Sequence, residues 1–137
     1  VRFLVIDASV TAAWLLVDEV ALEVEVIETL LEQGSVLVPQ IWHIEVRSAL
    51  LNAERRGRIT YEKLDDLLRS LRLIPVTTDT SASLDSALNL ARKHRLSIYD
   101  AIYLELALRT GSDLATQDKG LAKAAQAEKC LSEIRPH

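Results

Sequence analysis

The stretch Leu96–Asp118, LSIYDAIYLELALRTGSDLATQD, sets the frame for reading the whole chain. From Ile98 to about Leu108 it is almost wholly apolar, and its length predicts a helix rather than a strand. Ile98, Ala101, Ile102, Leu104, Leu106, Ala107 and Leu108 wrap the full circumference instead of one stripe, the pattern of a helix buried on all sides. Gly111 marks the turn that ends it, a short strand follows over Asp113–Thr116, and Asp118 stands just past that strand. Asp100 is the misfit. A carboxylate among these neighbours needs a partner, because burying an unpaired charge costs several kcal/mol or drives the group neutral. Taken alone, Ser97 and Asp100 read most simply as a capping box of the S-x-x-D kind.

Bulk properties narrow the rest. A chain of 137 residues fits a single domain over residues 1–137, able to bury roughly two-thirds of its unfolded surface. Hydrophobic residues make up 49% but aromatics only 4%, so the core is aliphatic. A formal charge of −4 gives no general pull toward nucleic acid or anionic membranes, and any polyanion site must be local. Cys130 has no second cysteine to pair with, which points to a reducing compartment. No run approaches the ~18 apolar residues of a membrane span. The start, VRFLVIDAS, lacks a basic leader and a small-residue cleavage site. A cytoplasmic protein with no membrane partner is the expectation.

Outward from the central stretch, short apolar runs alternate with helical segments. Phe3–Ile6 reads as a strand covered on both faces, ended by Asp7, with Ser9 as cap of a helix over Val10–Val17. Residues 19–33 carry Val20, Val24, Ile27, Leu30 and Leu31 on one face, and Gly34 serves as a helix stop. Ser35–Val38 is a second strand, and Pro39 opens a helix to Arg56 with Gly57 after it. Thr60 caps the next helix, with Ile59 and Leu64 spaced as a hydrophobic staple. Leu73–Thr77 is a third strand, placed at an edge by Pro75. Thr80 or Ser81 starts a helix presenting Leu84, Ala87, Leu88 and Ala91 on one side. A helix over Lys119–Ala127 and a strand near Leu131–Ile134 finish the chain. Alternation of this kind predicts an α/β domain with a parallel sheet between helices.

In such sheets ligands bind beyond the carboxyl ends of the strands. Asp7 follows the first strand directly and Asp118 lies two residues past the fourth, so both belong to that rim if the strands are parallel. Each reads equally as an ordinary N-cap. At ~100° per residue, Ile41, Glu45, Ser48 and Asn52 fall on one strip of their helix, between Trp42, Val46, Ala49 and Ala53 on one side and Ile44 and Leu51 on the other. Glu45 is therefore either a cleft-facing acid or a surface residue paired with a nearby arginine. Four acids from separate elements, Asp7, Glu45, Asp100 and Asp118, could meet at one rim. Clustered carboxylates repel, so the set needs protonation, basic partners or a cation. Hard divalent ions such as Mg²⁺ or Mn²⁺ take oxygen ligands of this type and can activate water for phosphodiester hydrolysis. The chain has no Gly-rich phosphate loop, no Cys/His zinc spacing and no G-x-S-x-G elbow; His43, His94 and His137 are scattered.

The motifs VIDASV at 5–10, PQIWHIEVRSAL at 39–50, LSIYDAIYLELA at 96–107 and LATQDKGL at 114–121 resemble those of the PIN-domain ribonucleases. Within them the chain is similar to the VapC-type toxins of type II VapBC toxin–antitoxin pairs. Each motif is weak alone, but all four occur in the family order across nearly the whole chain. The resemblance implies a PIN-like fold whose parallel five-stranded sheet is ordered 3-2-1-4-5. It implies a Mg²⁺- or Mn²⁺-dependent endoribonuclease that cleaves RNA phosphodiester bonds by metal-activated water. Asp7, Glu45, Asp100 and Asp118 would be its catalytic and metal-binding acids, with Ser9 and Thr116 in support. A small cognate VapB-type antitoxin and a homodimer are the implied partners. To hold RNA, a net-acidic chain needs a local basic path; Arg47, Arg55, Arg56 and Arg58, and Arg92, Lys93 and Arg95, are the candidates, although a solvated charge run is the plainer reading of most of them.

Two other readings are available. A receiver-type signalling module would need an acidic pair after its first strand, where this chain has Asp7 followed by Ala8 and Ser9. A catalytically silent PIN scaffold that binds RNA or protein is the second.

Overall fold

Leu4, Val5 and Ile6 are apolar on both faces of their strand, and such a strand is stable only where it is covered on both sides. In the computed structural model, which describes residues 3–16, 29, 31–32 and 35–133, this strand takes the middle of the sheet. Strand β1 (Leu4–Ile6) pairs in parallel with β2 (Val36–Pro39) through Leu4–Val36 and Val5–Leu37. On its other side it pairs in parallel with β4 (Asp113–Ala115), from Leu4–Asp113 to Ile6–Ala115. Strand β3 (Thr77–Asp79) lies outside β2, giving the order β3-β2-β1-β4. Helices α1 (Ala8–Leu15), α2 (Gln40–Arg55), α3 (Tyr61–Arg72), α4 (Leu84–His94), α5 (Ile98–Thr110) and α6 (Lys119–Ala127) surround the sheet.

The parallel α/β architecture and the order of the first four strands are those expected. The fifth strand is not formed as a strand among the described residues. Its place beside β4 is held by one parallel bridge, Leu114–Leu131, in which Leu114 N–H donates to Cys130 O at 2.7 Å and Ser132 N–H to Leu114 O at 2.9 Å. Ile134 lies outside the described residues, as does most of the helix expected over 19–33 with its Gly34 stop; Thr29, Leu31 and Glu32 alone are described there.

Two local boundaries moved for identifiable reasons. The third strand begins at Thr77 rather than Leu73, because Leu73 closes α3 and Pro75 has no N–H to give a ladder. Its edge position, read from Pro75, stands. Helix α4 is capped by Ser83, which accepts from Ser86 N–H at 3.3 Å, and not by Thr80 or Ser81. Ser81 N–H is instead taken by Asp79 Oδ2 at 3.3 Å, an Asx turn that delays the helix. On α4 only Ala87 is buried, while Leu84 and Leu88 are exposed. Small side chains at Ala87 and Ala101 bring α4 close against α5 in a satellite cluster with Ile102.

Helix α5 keeps an unbroken run of buried residues from Ala101 to Ala107 and ends on Gly111, whose φ of +64° is the left-handed conformation glycine tolerates best. Its strip reaches β1, β2 and β4 alike, which is why its circumference is apolar. Among the described residues no helix is long and apolar enough to cross a membrane.

Candidate active site

Parallel strands deliver their carboxyl ends to one rim, and β1 and β4 are neighbours, so Asp7 and Asp118 arrive together. Asp7 N–H extends the ladder by donating to Ala115 O at 3.2 Å. The Asp7 carboxylate is the N-cap of α1: Oδ1 accepts from Val10 N–H at 3.0 Å and from Ser9 Oγ at 2.6 Å, and Oδ2 accepts from Thr116 Oγ1. Ser9 is therefore not the cap expected of it. It holds Asp7, and its oxygen also accepts from Gln117 N–H at 3.0 Å. Thr116 is the matching tie from β4, for its Oγ1 accepts from Asp118 N–H at 3.0 Å. Asp118 in turn caps α6, its Oδ2 accepting from Leu121 N–H at 2.8 Å.

The other two acids come from helices. Glu45, on the second turn of α2, accepts at Oε1 from the Tyr103 hydroxyl at 2.6 Å. Tyr103 is buried in α5, and its hydroxyl also takes the Ala8 backbone N–H, so one oxygen links α1, α2 and α5. Asp100 stands in the first turn of α5, where Ser97 caps the helix by accepting Asp100 N–H at 3.1 Å. The capping accounts of Asp7, Asp118 and Ser97–Asp100 are thus all correct, and they place the acids rather than compete with a shared site.

Electrostatics join the four. Burial raises the Asp7 carboxyl above its ordinary range; bonds from Ser9, Thr116 and Val10 pull it back, and Asp118 adds to the rise. Asp100 is raised first by burial and then by Asp118 and Asp7, against the Ser97 hydrogen bond. Burial also raises Glu45, with Tyr103 lowering it and Asp100 raising it again. Among the described residues no lysine, arginine or histidine figures among the groups acting on these three. The arginine partner conceivable for Glu45 is a tyrosine instead.

The set fits a hard cation by its chemistry: oxygen donors only, mutual repulsion, and spare acceptor capacity, since an ionised carboxylate has about four lone-pair sites. The side chains do not close on a common point. Among the described residues no three Asp, Glu, His or Cys groups stand near enough to hold an ion between them. Asp7 and Asp118 are turned toward their own helices, and Glu45 toward Tyr103.

Sequence reasoning missed Tyr103. Its signal was available: a hydroxyl-bearing ring inside an otherwise aliphatic buried helix must find a polar partner. It also missed a buried brace, in which Trp42 Nε1–H donates to Thr11 Oγ1 at 2.9 Å and Thr11 Oγ1–H to Asp7 O at 3.0 Å. A second polar cluster does not include the four acids. There Arg109 bridges buried Glu105, at 2.7 Å from Nε, and Asp79, at 2.6 Å from Nη2. His43 bonds Thr78 and His94 bonds Glu128, so neither joins the acids, and His137 lies outside the described residues. Of the basic candidates, Lys93 is paired with Glu128, Arg47 donates to His43 O, and Arg56 and Arg58 are among the residues lining a cleft.

Comparison with known proteins bears on the family and the fold. The family model described as the PIN domain matches residues 4–127. Two relatives, both Ribonuclease VapC3, from Mycobacterium tuberculosis strains CDC 1551 / Oshkosh and ATCC 25618 / H37Rv, are 38% identical over 86 residues. That match covers 63% of this chain and 62% of each relative, less than two-thirds of their length. Among solved structures, PAE2754 from Pyrobaculum aerophilum aligns with a TM-score of 0.67 at 20% identity, covering 90% of this chain and 84% of its own. FitAcB from Neisseria gonorrhoeae aligns with a TM-score of 0.62 at 16% identity, over 90% and 94% respectively. At those identities the two structures speak for the fold.

Proposed function

Because the chain belongs to the PIN-domain family, we propose that it is a metal-dependent endoribonuclease and the toxin of a type II VapBC pair. The observation that carries the reading is the electrostatic coupling of four carboxylates from four separate elements, with no cationic side chain among the described residues acting on the three whose pKa is raised. The name of the two Mycobacterium tuberculosis relatives supports the reaction class.

Asp7, Glu45, Asp100 and Asp118 are the residues that would hold Mg²⁺ or Mn²⁺, with Ser9 and Thr116 supporting Asp7. Such an ion, when bound, lowers the pKa of a coordinated water and stabilises a leaving oxygen in phosphodiester hydrolysis. The chain's own part is orientation. Ser9 and Thr116 fix both oxygens of Asp7, and Thr116 also fixes the backbone entering Asp118. Tyr103 sets the Glu45 carboxylate and keeps one of its oxygens engaged. RNA is the proposed substrate, a small VapB-type antitoxin and a second copy of the chain the proposed partners, and the cytoplasm the proposed location.

The silent-scaffold reading has one observation in its favour: no three of the acids stand within ligating distance of a common point among the described residues. RNA cleavage with Mg²⁺ or Mn²⁺, repeated in EDTA and with Asp7→Asn and Asp100→Asn, separates the two. The proposal expects cation-dependent cutting that both variants abolish. Cutting in EDTA, or full activity in both folded variants, would falsify it.

A further inference from the structure

Beside the acid rim, between α1 and α2, lies a cleft of about 310 Å³. Its walls include the small apolar side chains Ala12, Ala49 and Ala53, and its polar lining is Ser9, Asn52, Gln117, Arg56 and Arg58. The volume is at the lower end of ligand-sized pockets, and the lining is mixed, with polar groups standing among the alanines. Continuity with the rim is direct. Ser9, which lines the cleft, also donates to Asp7 Oδ1, and Gln117, which lines it too, donates its N–H to Ser9. Along α2, Glu45, Ala49, Asn52 and Arg56 follow at intervals of four, three and four residues, so one helix face carries the line from acid to arginine. Eleven residues at 1.5 Å each put Arg56 about 16 Å along the axis from Glu45, so a phosphate held there lies more than one nucleotide along the strand from the one attacked.

We propose that this cleft is a nucleotide subsite, in which Arg56 and Arg58 hold a phosphate more than one nucleotide from the scissile bond of single-stranded RNA while Asn52 and Gln117 face the adjoining base. Guanidinium groups match phosphate oxygens in bidentate geometry, and side-chain amides offer a donor and an acceptor to a base edge. Apolar walls of alanine leave room for the base itself. In a chain of formal charge −4, these two arginines supply the local positive field that a polyanion needs. The proposal rests on the ribonuclease reading and is tested so that the two can fail separately.

The probe is a fluorescein-labelled single-stranded oligouridylate, its binding to the intact protein followed by anisotropy in EDTA over a series of salt concentrations. Arg56→Ala/Arg58→Ala should weaken binding on the order of tenfold for each arginine, the usual worth of a charge-assisted bond. The plot of log K against log salt should flatten by about 1.4, two contacts at ~0.7 each. Arg69→Ala/Arg72→Ala, the same change of charge on α3, should leave both quantities unchanged. With Mg²⁺, cleavage by the cleft variant should show a raised KM and a kcat near the original. If the double variant does not fold, Asn52→Asp places a negative charge on an exposed residue of the same cleft and should raise KM likewise. Unaltered affinity and salt slope in the folded variants would overturn the subsite, and would point to a protein segment as the cleft's occupant. A protein that cuts RNA with KM unmoved by these changes keeps the ribonuclease reading and loses the subsite. One that binds through the arginines without cutting keeps the subsite and loses the ribonuclease reading. Failure to bind the oligouridylate at all refutes the subsite.

Discussion

Removing divalent cations and raising the pH should destabilise this fold, and returning a cation should restore it. Asp7, Glu45 and Asp100 hold their protons above the ordinary values of 3.8, 4.5 and 3.8. A carboxyl raised in the folded state binds more protons there than in the unfolded chain. Its contribution is fully present below the ordinary pKa and is lost as pH climbs through the raised one. Four like-charge contacts enter: Asp7–Asp118, Asp7–Asp100, Asp100–Asp118 and Glu45–Asp100. Because Glu45 and Asp100 are half-buried, solvent screening holds each contact to about 0.5 kcal/mol, or roughly 2 kcal/mol together. A cation at a hundredfold excess over its Kd stabilises by about 2.7 kcal/mol, enough to offset that sum. For a chain of this size the Tm should rise by roughly 6–12 °C. Calorimetry at pH 5 and pH 8, in EDTA and in Mg²⁺ or Mn²⁺, reads the effect. The rise should be larger at pH 8, where the acids are ionised. Asp100→Asn removes three of the four contacts and a favourable charge at a helix N-terminus, so the metal-free variant should gain about 1 kcal/mol at pH 8. It should also lose most of the cation response. A Tm indifferent to both cations at pH 8, or the same rise in Asp7→Asn, would refute the idea that these acids share an ion.

Tyr103→Phe removes the donor to Glu45 Oε1 and the acceptor of Ala8 N–H, so Glu45 should ionise at higher pH and the acid limb of the pH–rate profile should move upward; a superimposable profile would deny Tyr103 its positioning role. Arg109→Ala leaves buried Glu105 and half-buried Asp79 without their cation; with Arg109 itself one-third exposed, the cost should be about 2–3 kcal/mol in urea unfolding.

Much of this was legible in the chain because the signals were local. Leu4–Ile6 and Leu114–Ala115 are apolar on both faces, which only a covered parallel sheet accommodates, and all of these residues are buried in the neighbouring strands β1 and β4. The continuous apolar circumference of 101–107 predicts a helix with core on every side, and α5 is that helix. Thr60 and Ser97 cap as their spacing requires. Errors fell where two local options were nearly equal. Thr80, Ser81 and Ser83 are all competent caps, and the Asx turn at Asp79 decided among them. Leu84 and Leu88 have the right period for a core face, yet the close approach of α4 to α5 through Ala87 leaves them outside.

Residue type and order by themselves determined the alternation of strands and helices, the caps at Thr60 and Ser97, and which four acids stand at strand ends or on helices beside them. These properties depend on a few neighbours along the backbone, where period and propensity act. Tertiary structure alone decided that Tyr103 holds Glu45, that Ser9 serves Asp7 rather than its helix, that Arg109 neutralises Glu105 and Asp79, and that a cleft carries two arginines beside the rim. Each of these joins groups whose separation is set by packing, and the charge a carboxylate carries is fixed by what the fold brings near it.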